Sequence, residues 1–304
     1  MNRVVPLLRT GAVSLERFDH PPGVAHRDAG RECAAGHAVN FVETGGFRLR
    51  QRKEWARVGP DTIFITGPGL EFSCAHDDDH PDDSCLSISF SEEAIESARS
   101  AFAFTPGQAG LRHMTNRRAY LRRALQQTET GDEARLEALA GAVLHSLSIA
   151  GAGRPLYRPA QLNWYAARVD AAREAVEQRY AEPLSLSVLA REAGMSLFHF
   201  ARVFAELEGR TPHRLLLDVR LAQAAARLQD GAGVTETCFA VGFGSLSHFV
   251  TTFRQRFGVR PSEVRKGPSS SPAVSVPARE SRRRARTDRT PTPRQPKAAG
   301  SSSR

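Results

Sequence analysis

Side chains with a capacity for metal or redox chemistry are concentrated between two cysteines. The ten positions from 75 to 84, between Cys74 and Cys85, hold five carboxylates and two imidazoles. Ligands of this kind can hold a hard or borderline metal ion. However, the ligands are contiguous, and the regular spacing of a calcium loop is absent, so a solvated acidic hairpin loop is the favoured interpretation. We therefore expect no metal site and no cofactor.

The four cysteines are Cys33, Cys74, Cys85 and Cys238, and none forms a CxxC pair. This spacing argues against a zinc finger and a disulfide framework, and it fits a reducing compartment. Cys74 and Cys85 could face each other across a hairpin and form a redox-sensing disulfide. A buried pair of thiols is the default expectation.

A second set of side chains recurs along the chain at an offset of 49 residues. Ser-Leu-Phe-His-Phe at 196–200 is answered by Ser-Leu-Ser-His-Phe at 245–249. At the same offset Phe204 matches Phe253, Gly209 matches Gly258 and Pro212 matches Pro261. A repeat of this length indicates a supersecondary unit that occurs twice.

The elements around each copy predict a helix, a tight turn and a second helix. In the first copy Ser185 is a suitable N-cap, Gly194 permits the positive φ of a turn, and Ser196 opens the next helix. Apolar residues then recur at helical spacing and predict a buried stripe. We expect helix-turn-helix units at about 185–208 and 234–257, joined by a long helix from Pro212 to Leu228.

Two motifs in this region carry a resemblance to a known family. They are LSLSVLAREAGMSLFHFARVF at 184–204 and VGFGSLSHFVTTFRQRFGVRPSEVRK at 241–266. Together they resemble the DNA-binding domain of the AraC/XylS family of bacterial transcription regulators. The resemblance implies two recognition helices that enter adjacent major grooves of double-stranded operator or promoter DNA.

The face opposite each buried stripe is where we expect DNA contacts. Arg202 is the strongest candidate because its guanidinium can grip guanine O6 and N7 together, although a solvated or phosphate-binding arginine is the alternative. Thr251 stands where many family members have a second arginine, which predicts weaker base reading by the second unit. The expected DNA-binding residues are Ser196, Leu197, Phe198, Ala201, Arg202, Ser245, Leu246, Ser247, His248 and Thr251.

Two histidines occupy equivalent places in the repeat, His199 and His248. Each could pack or hydrogen-bond within the domain, and each could instead contact a phosphate or a base. We give these interpretations equal weight, with His248 slightly favoured as a DNA contact.

The first half of the chain predicts strands followed by helices. Val39–Val42, a Gly45–Gly46 turn and Phe47–Leu49 have the pattern of a hairpin, and residues 85–90 alternate as a strand does. Helices are predicted at 116–127 and 133–149. The order resembles the β-rich, cupin-like sensor domain of the family, but no individual effector-binding residue stands out. The apolar stripe Leu136/Leu139/Val143/Leu147 could form a dimer seam or pack on its own sheet.

The overall composition and charge limit the class of protein and its location. The chain has 304 residues, is 40% hydrophobic and carries a net charge of +9. Most of the excess lies in residues 267–304, which are rich in Ser, Pro and Arg and are predicted to be a disordered basic tail. No apolar run approaches a membrane span, and the N-terminus does not have the pattern of a secretory signal. We expect a cytoplasmic, nucleoid-associated protein.

The expected fold class is a two-domain α+β protein, with a β-rich cupin-like domain and accessory helices followed by an all-α domain. Its expected divisions are a sensing or dimerisation domain at 1–150, a linker at 151–163, a DNA-binding domain at 164–266 and the tail. The expected partners are DNA, a small-molecule effector, RNA polymerase and a second copy of the chain. The predicted function is a sequence-specific transcription regulator and not an enzyme. Alternatives are a metal-dependent cupin enzyme fused to a DNA-binding domain, a DNA-repair methyltransferase, and a module whose first half only dimerises.

Overall fold

A computed structural model describes residues 3–19, 32–76, 83–98, 110–148 and 155–264. The predicted basic tail, the acidic segment 77–82 and part of the predicted linker lie outside these residues. Within them the order of elements is strands first and helices afterwards, and every strand pairing is antiparallel.

The N-terminal half forms two sheets. Six strands pair in the order β1-β2-β9-β4-β7-β10, and four pair in the order β3-β8-β5-β6. The strands are β1 (Arg3–Arg9), β2 (Val13–Asp19), β3 (Glu32–Cys33), β4 (His37–Thr44), β5 (Phe47–Gln51), β6 (Glu54–Val58), β7 (Thr62–Thr66), β8 (Glu71–His76), β9 (Ser84–Phe90) and β10 (Gly110–His113).

The six-stranded sheet is the middle layer of three. Because side chains alternate along a strand, Leu86 and Ile88 of β9 point to one face, whereas Cys85 and Ser87 point to the other. Leu86 and Ile88 belong to a core shared with helices. Cys85 belongs to a second core that includes Phe47 of β5 and lies between the two sheets.

The predicted hairpin at 39–49 is wrong. β4 pairs with β9 and β7 in the large sheet, whereas β5 pairs with β6 and β8 in the small one. The Gly45–Gly46 turn therefore passes the chain from one sheet to the other. Val42 and Phe47, on either side of this turn, both bury in the core between the sheets, which favours the crossover.

Three helices cover the other face of the large sheet: α1 (Glu92–Ala98), α2 (Asn116–Gln126) and α3 (Glu133–Ser148). The last two lie within a residue of the predicted bounds. The stripe on α3 packs on its own domain, since Leu136, Val143 and Leu147 are buried in the core of the large sheet and Leu139 is partly buried against it. This excludes these side chains as an exposed dimer seam.

The C-terminal half is entirely helical over residues 155–264. Its helices are α4 (Pro159–Gln178), α5 (Leu186–Glu192), α6 (Leu197–Glu208), α7 (Pro212–Gln229), α8 (Val234–Ala240), α9 (Leu246–Phe257) and a final 3₁₀ turn (Pro261–Glu263). α4 begins at Pro159, inside the stretch predicted to be linker, because proline is favoured in the first turn of a helix. The predicted α+β fold class is confirmed.

Two separate cores organise these helices. The first contains side chains of α4, α5, α6 and the start of α7, including Leu215 and Leu216. The second contains α8, α9 and the end of α7, including Leu221 and Leu228. α7 therefore sets the distance between the two units. Among the described helices, none combines the length and apolar character that crossing a membrane requires.

Candidate nucleic-acid interface

The first helix-turn-helix unit is α5, a glycine turn and α6. The hydroxyl of Ser185 accepts from the amide of Val188 at 3.3 Å and caps α5. Gly194 has a φ of 62°, a region that favours glycine. The chain then closes back on the helix through Met195 N–H to Ala190 C=O at 3.0 Å.

The second unit, formed by α8 and α9, repeats this turn. Gly242 has a φ of 86°, and Phe243 N–H donates to Cys238 C=O at 3.0 Å, as Met195 does to Ala190. Recurrence of the same turn bond shows that the sequence repeat is a structural repeat. The caps differ, since Ser245 Oγ accepts from the His248 amide at 3.4 Å, whereas Ser196 occupies the N-cap position without a side-chain cap bond.

Paired phenylalanine rings hold each second helix in place. Phe200 and Phe204 have ring centroids 5.6 Å apart in α6, and Phe249 and Phe253 are 5.7 Å apart in α9. All four are at most 1% exposed. This burial fixes which face of α6 and of α9 points outward.

The outward faces carry the residues expected to contact DNA. Nine of the ten are exposed, and Ala201 is half-buried; the exposed residues are Ser196, Leu197, Phe198, Arg202, Ser245, Leu246, Ser247, His248 and Thr251. Phe198 is 85% exposed, which is exceptional for a phenylalanine in a well-packed domain. Their role in binding stays a prediction.

The two histidines are not equivalent. His199 is half-buried, and its Nε2 lies 3.0 Å from the hydroxyl of Tyr165 on α4. This contact supports the packing interpretation for His199. His248 is exposed on α9, with its ring 5.6 Å from that of Phe243 at the turn, so it remains available to a ligand.

Sequence reasoning passed over two arginines beside Thr251. Arg254 lies three residues further along α9, and both it and Arg260 are exposed. Both line a surface groove with Val250 and Thr251. The i, i+3 spacing from Thr251 could have identified Arg254, because residues at that spacing share a helix face.

Arginine contacts fix the connecting helix α7 against the loop before the first unit and against the second unit. Arg220 of α7 donates to the carbonyl oxygens of Tyr180 at 2.7 Å and Glu182 at 2.8 Å, in the loop between α4 and α5. Asp218 is an ion-pair partner of Arg214 at 3.1 Å and of Arg256 on α9 at 3.8 Å. These contacts restrict the relative placement of the two recognition helices.

The N-terminal domain docks on the first unit through α2. The Asn116 amide donates to Glu206 Oε1 at 2.7 Å, and its oxygen accepts from the Tyr157 amide at 2.7 Å. One turn along α2, the Tyr120 hydroxyl donates to Asp170 at 2.6 Å. Burial, followed by the nearby carboxylates, raises the pKa of Tyr120, so it stays a proton donor.

A cavity of about 430 Å³ lies between the two sheets of the N-terminal domain. Its wall includes the rings of Phe18, Phe47, Phe64 and Phe72. Cys74 and Cys85 also line it, from strands of different sheets, and both are free thiols. The expected placement of these two cysteines across one hairpin is therefore wrong.

The geometry defines a class of domain: a double helix-turn-helix whose second helices each expose a face of mixed polar and apolar side chains that includes an arginine. Residues 189–267 match the family model described as a helix-turn-helix domain. RhaS of Escherichia fergusonii, named as a transcriptional activator, is 35% identical over 97 residues, which cover 32% of this chain and 35% of that protein. VirF of Yersinia enterocolitica, named as a virulence regulon transcriptional activator, is 33% identical over 91 residues, covering 30% and 34%.

The chain thus matches about a third of the length of these curated relatives. Among solved structures, ToxT of Vibrio cholerae with a bound unsaturated fatty acid covers 84% of this chain and 95% of its own, at 12% identity and a TM-score of 0.34. A probable AraC family transcriptional regulator from Rhodopseudomonas palustris covers 32% and 94%, at 31% identity and a TM-score of 0.31.

Over the region of its two motifs, the C-terminal domain is therefore similar to a helix-turn-helix family model and to curated transcriptional activators. Both of these relatives are named as activators of transcription.

Proposed function

We propose that this chain is a sequence-specific DNA-binding regulator of transcription that responds to a small molecule. The observation that carries the proposal is the doubled turn, with Gly194 and Gly242 each followed by a helix whose buried phenylalanines leave one face exposed. An α-helix fits the major groove, where each base pair presents a distinct pattern of donors and acceptors. The two units joined by α7 suit two successive grooves.

The two recognition helices have different tasks in this proposal. Arg202 of α6 reads a guanine, while α9 offers Thr251, Leu246 and Ser247 for small contacts and Arg254 for phosphate. Charge alone does not supply the affinity, because residues 168–266 carry a net charge of only +3. Phosphate contacts position the protein, and base contacts specify the site.

The same proposal assigns roles to the remaining parts of the chain and to its partners. The domain within 1–150 senses the effector in its cavity, and residues 164–266 bind DNA. A second copy of the chain and RNA polymerase are the further partners, and the bacterial nucleoid is the place of action. The stretch 267–304 adds sequence-independent attraction to phosphate.

Selection of bound sequences from a random DNA pool tests the function directly. We expect an enriched motif with two half-sites about 10 base pairs apart. Recovery of only unenriched DNA would contradict the proposal.

The role of Arg202 needs a second experiment on the selected DNA. Arg202→Ala should weaken binding by about 1–3 kcal/mol and relax the preference at one base pair. Arg135→Ala is the matched control, because it removes the same charge from an exposed position on α3 of the N-terminal domain. An unchanged preference across single-base variants of the site would refute base reading by Arg202.

A further inference from the structure

The cavity between the sheets has an aromatic and sulfur-rich wall. Four phenylalanine rings line it, and Phe64 makes edge contacts with Phe47 and Phe72 at centroid distances of 6.4 and 5.3 Å. Three of the four cysteines of the chain, Cys33, Cys74 and Cys85, line the same space. Sulfur and aromatic surfaces are polarisable and favour contact with another ring.

The neutral polar groups of this wall lie along strands of the large sheet, and Glu32 of β3 in the small sheet adds a carboxylate. The neutral groups include Ser87 and Ser89 of β9 and Asn40 of β4. The side-chain amide of Asn40 donates a hydrogen bond to the carbonyl oxygen of Phe64 at 3.0 Å. This bond orients the rest of the Asn40 side chain. Hydroxyl and amide groups of this kind can pair with an alcohol, a carbonyl or an ether.

Among the described residues that line the cavity there is no lysine, arginine or histidine. The charged groups that act on the thiols are acidic. Burial, followed by Glu32 and other acidic neighbours, raises the pKa of Cys74, and burial, followed by Asp83, raises the pKa of Cys85 to about 12. Both thiols therefore stay protonated at neutral pH and behave as small apolar groups.

We infer that this cavity binds an uncharged aromatic molecule with one hydrogen-bonding group, and that it rejects carboxylates. The ring packs among the phenylalanines, and the polar group meets Asn40, Ser87 or Ser89. A carboxylate would lose its hydration without meeting a cation of the described wall, beside groups that are already negative. A volume of about 430 Å³ lies within the usual range for a small-molecule site. The identification of this molecule as the effector rests on the proposed function.

The test compares two probes of matched shape, 4-tert-butylbenzyl alcohol and 4-tert-butylbenzoate, by calorimetry and thermal shift on the full chain at pH 7. The alcohol should bind saturably, with an affinity about 100-fold higher than that of the carboxylate, because an unpaired buried charge is costly. Absence of saturable alcohol binding, or equal affinity for the two probes, overturns the inference.

A charge placed in the wall should reverse the preference. Ser89→Lys puts an ammonium group into the cavity and should raise the affinity for the carboxylate at least tenfold. Ser89→Met is the matched control, since it adds a chain of similar bulk without the charge and should not improve carboxylate binding. If both variants improve carboxylate binding equally, the charge argument is wrong.

DNA binding is measured separately, so the two proposals can fail independently. Enrichment of a DNA motif by the chain without any probe supports the regulator, whatever the cavity binds. Preference for the alcohol in a chain that enriches no motif would uphold the ligand class and refute its role as an effector of DNA binding.

Discussion

The turn glycine of the second unit offers the sharpest test of how the two units are held together. A Cβ added at Gly242 would lie 2.7 Å from the carbonyl oxygen of Ala181, in the loop between α4 and α5. That loop has little freedom to retreat, because Arg220 holds the carbonyls on either side of Ala181. Gly194 has an equally left-handed backbone, yet an added Cβ there meets no atom within 4 Å.

The comparison of Gly242→Ala with Gly194→Ala therefore separates backbone strain from steric conflict. A left-handed backbone costs a residue with a Cβ about 1–2 kcal/mol. Alanine restricts the unfolded chain more than glycine does, and this offsets about 0.4–1 kcal/mol of that cost. Gly194→Ala should therefore lower the free energy of unfolding by about 1 kcal/mol. Gly242→Ala adds an overpacking cost of about 1–3 kcal/mol and should lose about 2–4 kcal/mol in total.

Urea unfolding of the full chain, followed by circular dichroism in the far ultraviolet, measures both losses. A second readout is affinity for the selected DNA, because relief of the clash moves the second unit away from the first. Gly242→Ala should weaken binding to a complete site more than binding to the first half-site alone. Losses of stability that agree within about 0.5 kcal/mol would refute the reasoning, since the Ala181 loop would then have yielded freely.

Three further predictions concern the domain contact, pH and the tail. Asn116→Ala removes bonds to Glu206 and to the backbone and should cost about 2–4 kcal/mol in urea unfolding; a loss below about 0.5 kcal/mol would contradict the role of this contact. The pKa of Cys85 is raised from its ordinary value of 9.0 to about 12 in the folded chain, so its contribution to stability is complete below pH 9 and falls as pH rises from 9 towards 12. Cys85→Ala should flatten this fall by up to about 1.4 kcal/mol per pH unit, and an unchanged slope would show that another group titrates. Deletion of residues 267–304 should reduce the salt dependence of DNA binding without changing the preferred sequence, and a changed preference would contradict it.

The helix-turn-helix units could be predicted because their signals are local. A serine at the start of the second helix, a turn glycine and phenylalanines at helical spacing all lie within about 25 residues of each other, and this set occurs twice. The buried stripe then fixed the exposed face, so Arg202 and Thr251 could be placed before the structure was known. The same helical geometry is sufficient to place Arg254 on the face of α9 that carries Thr251, because the two residues are three positions apart.

The pairing of strands could not be predicted in this way. Alternation along β4 and β5 predicts which side chains share a face, but it does not identify the neighbouring strand. The sequence around Gly45–Gly46 therefore predicted a hairpin, although this turn carries the chain from one sheet to the other. Contacts such as that of Asn116 with Glu206, 90 residues apart, leave no periodic signal at all.

Helix α2 belongs to two cores at once, and this limits how the protein can be recombined with its relatives. Leu121 and Leu125 pack with the large sheet, whereas Tyr120 packs with α4 and α6 of the first unit. A chimera joined between residues 148 and 159 would pair a foreign α2 with Glu206 and Asp170, and would lose both bonds described above. Transplants of the DNA-binding half should therefore carry Asn116 and Tyr120 with them, so the workable unit of exchange is larger than the domain itself.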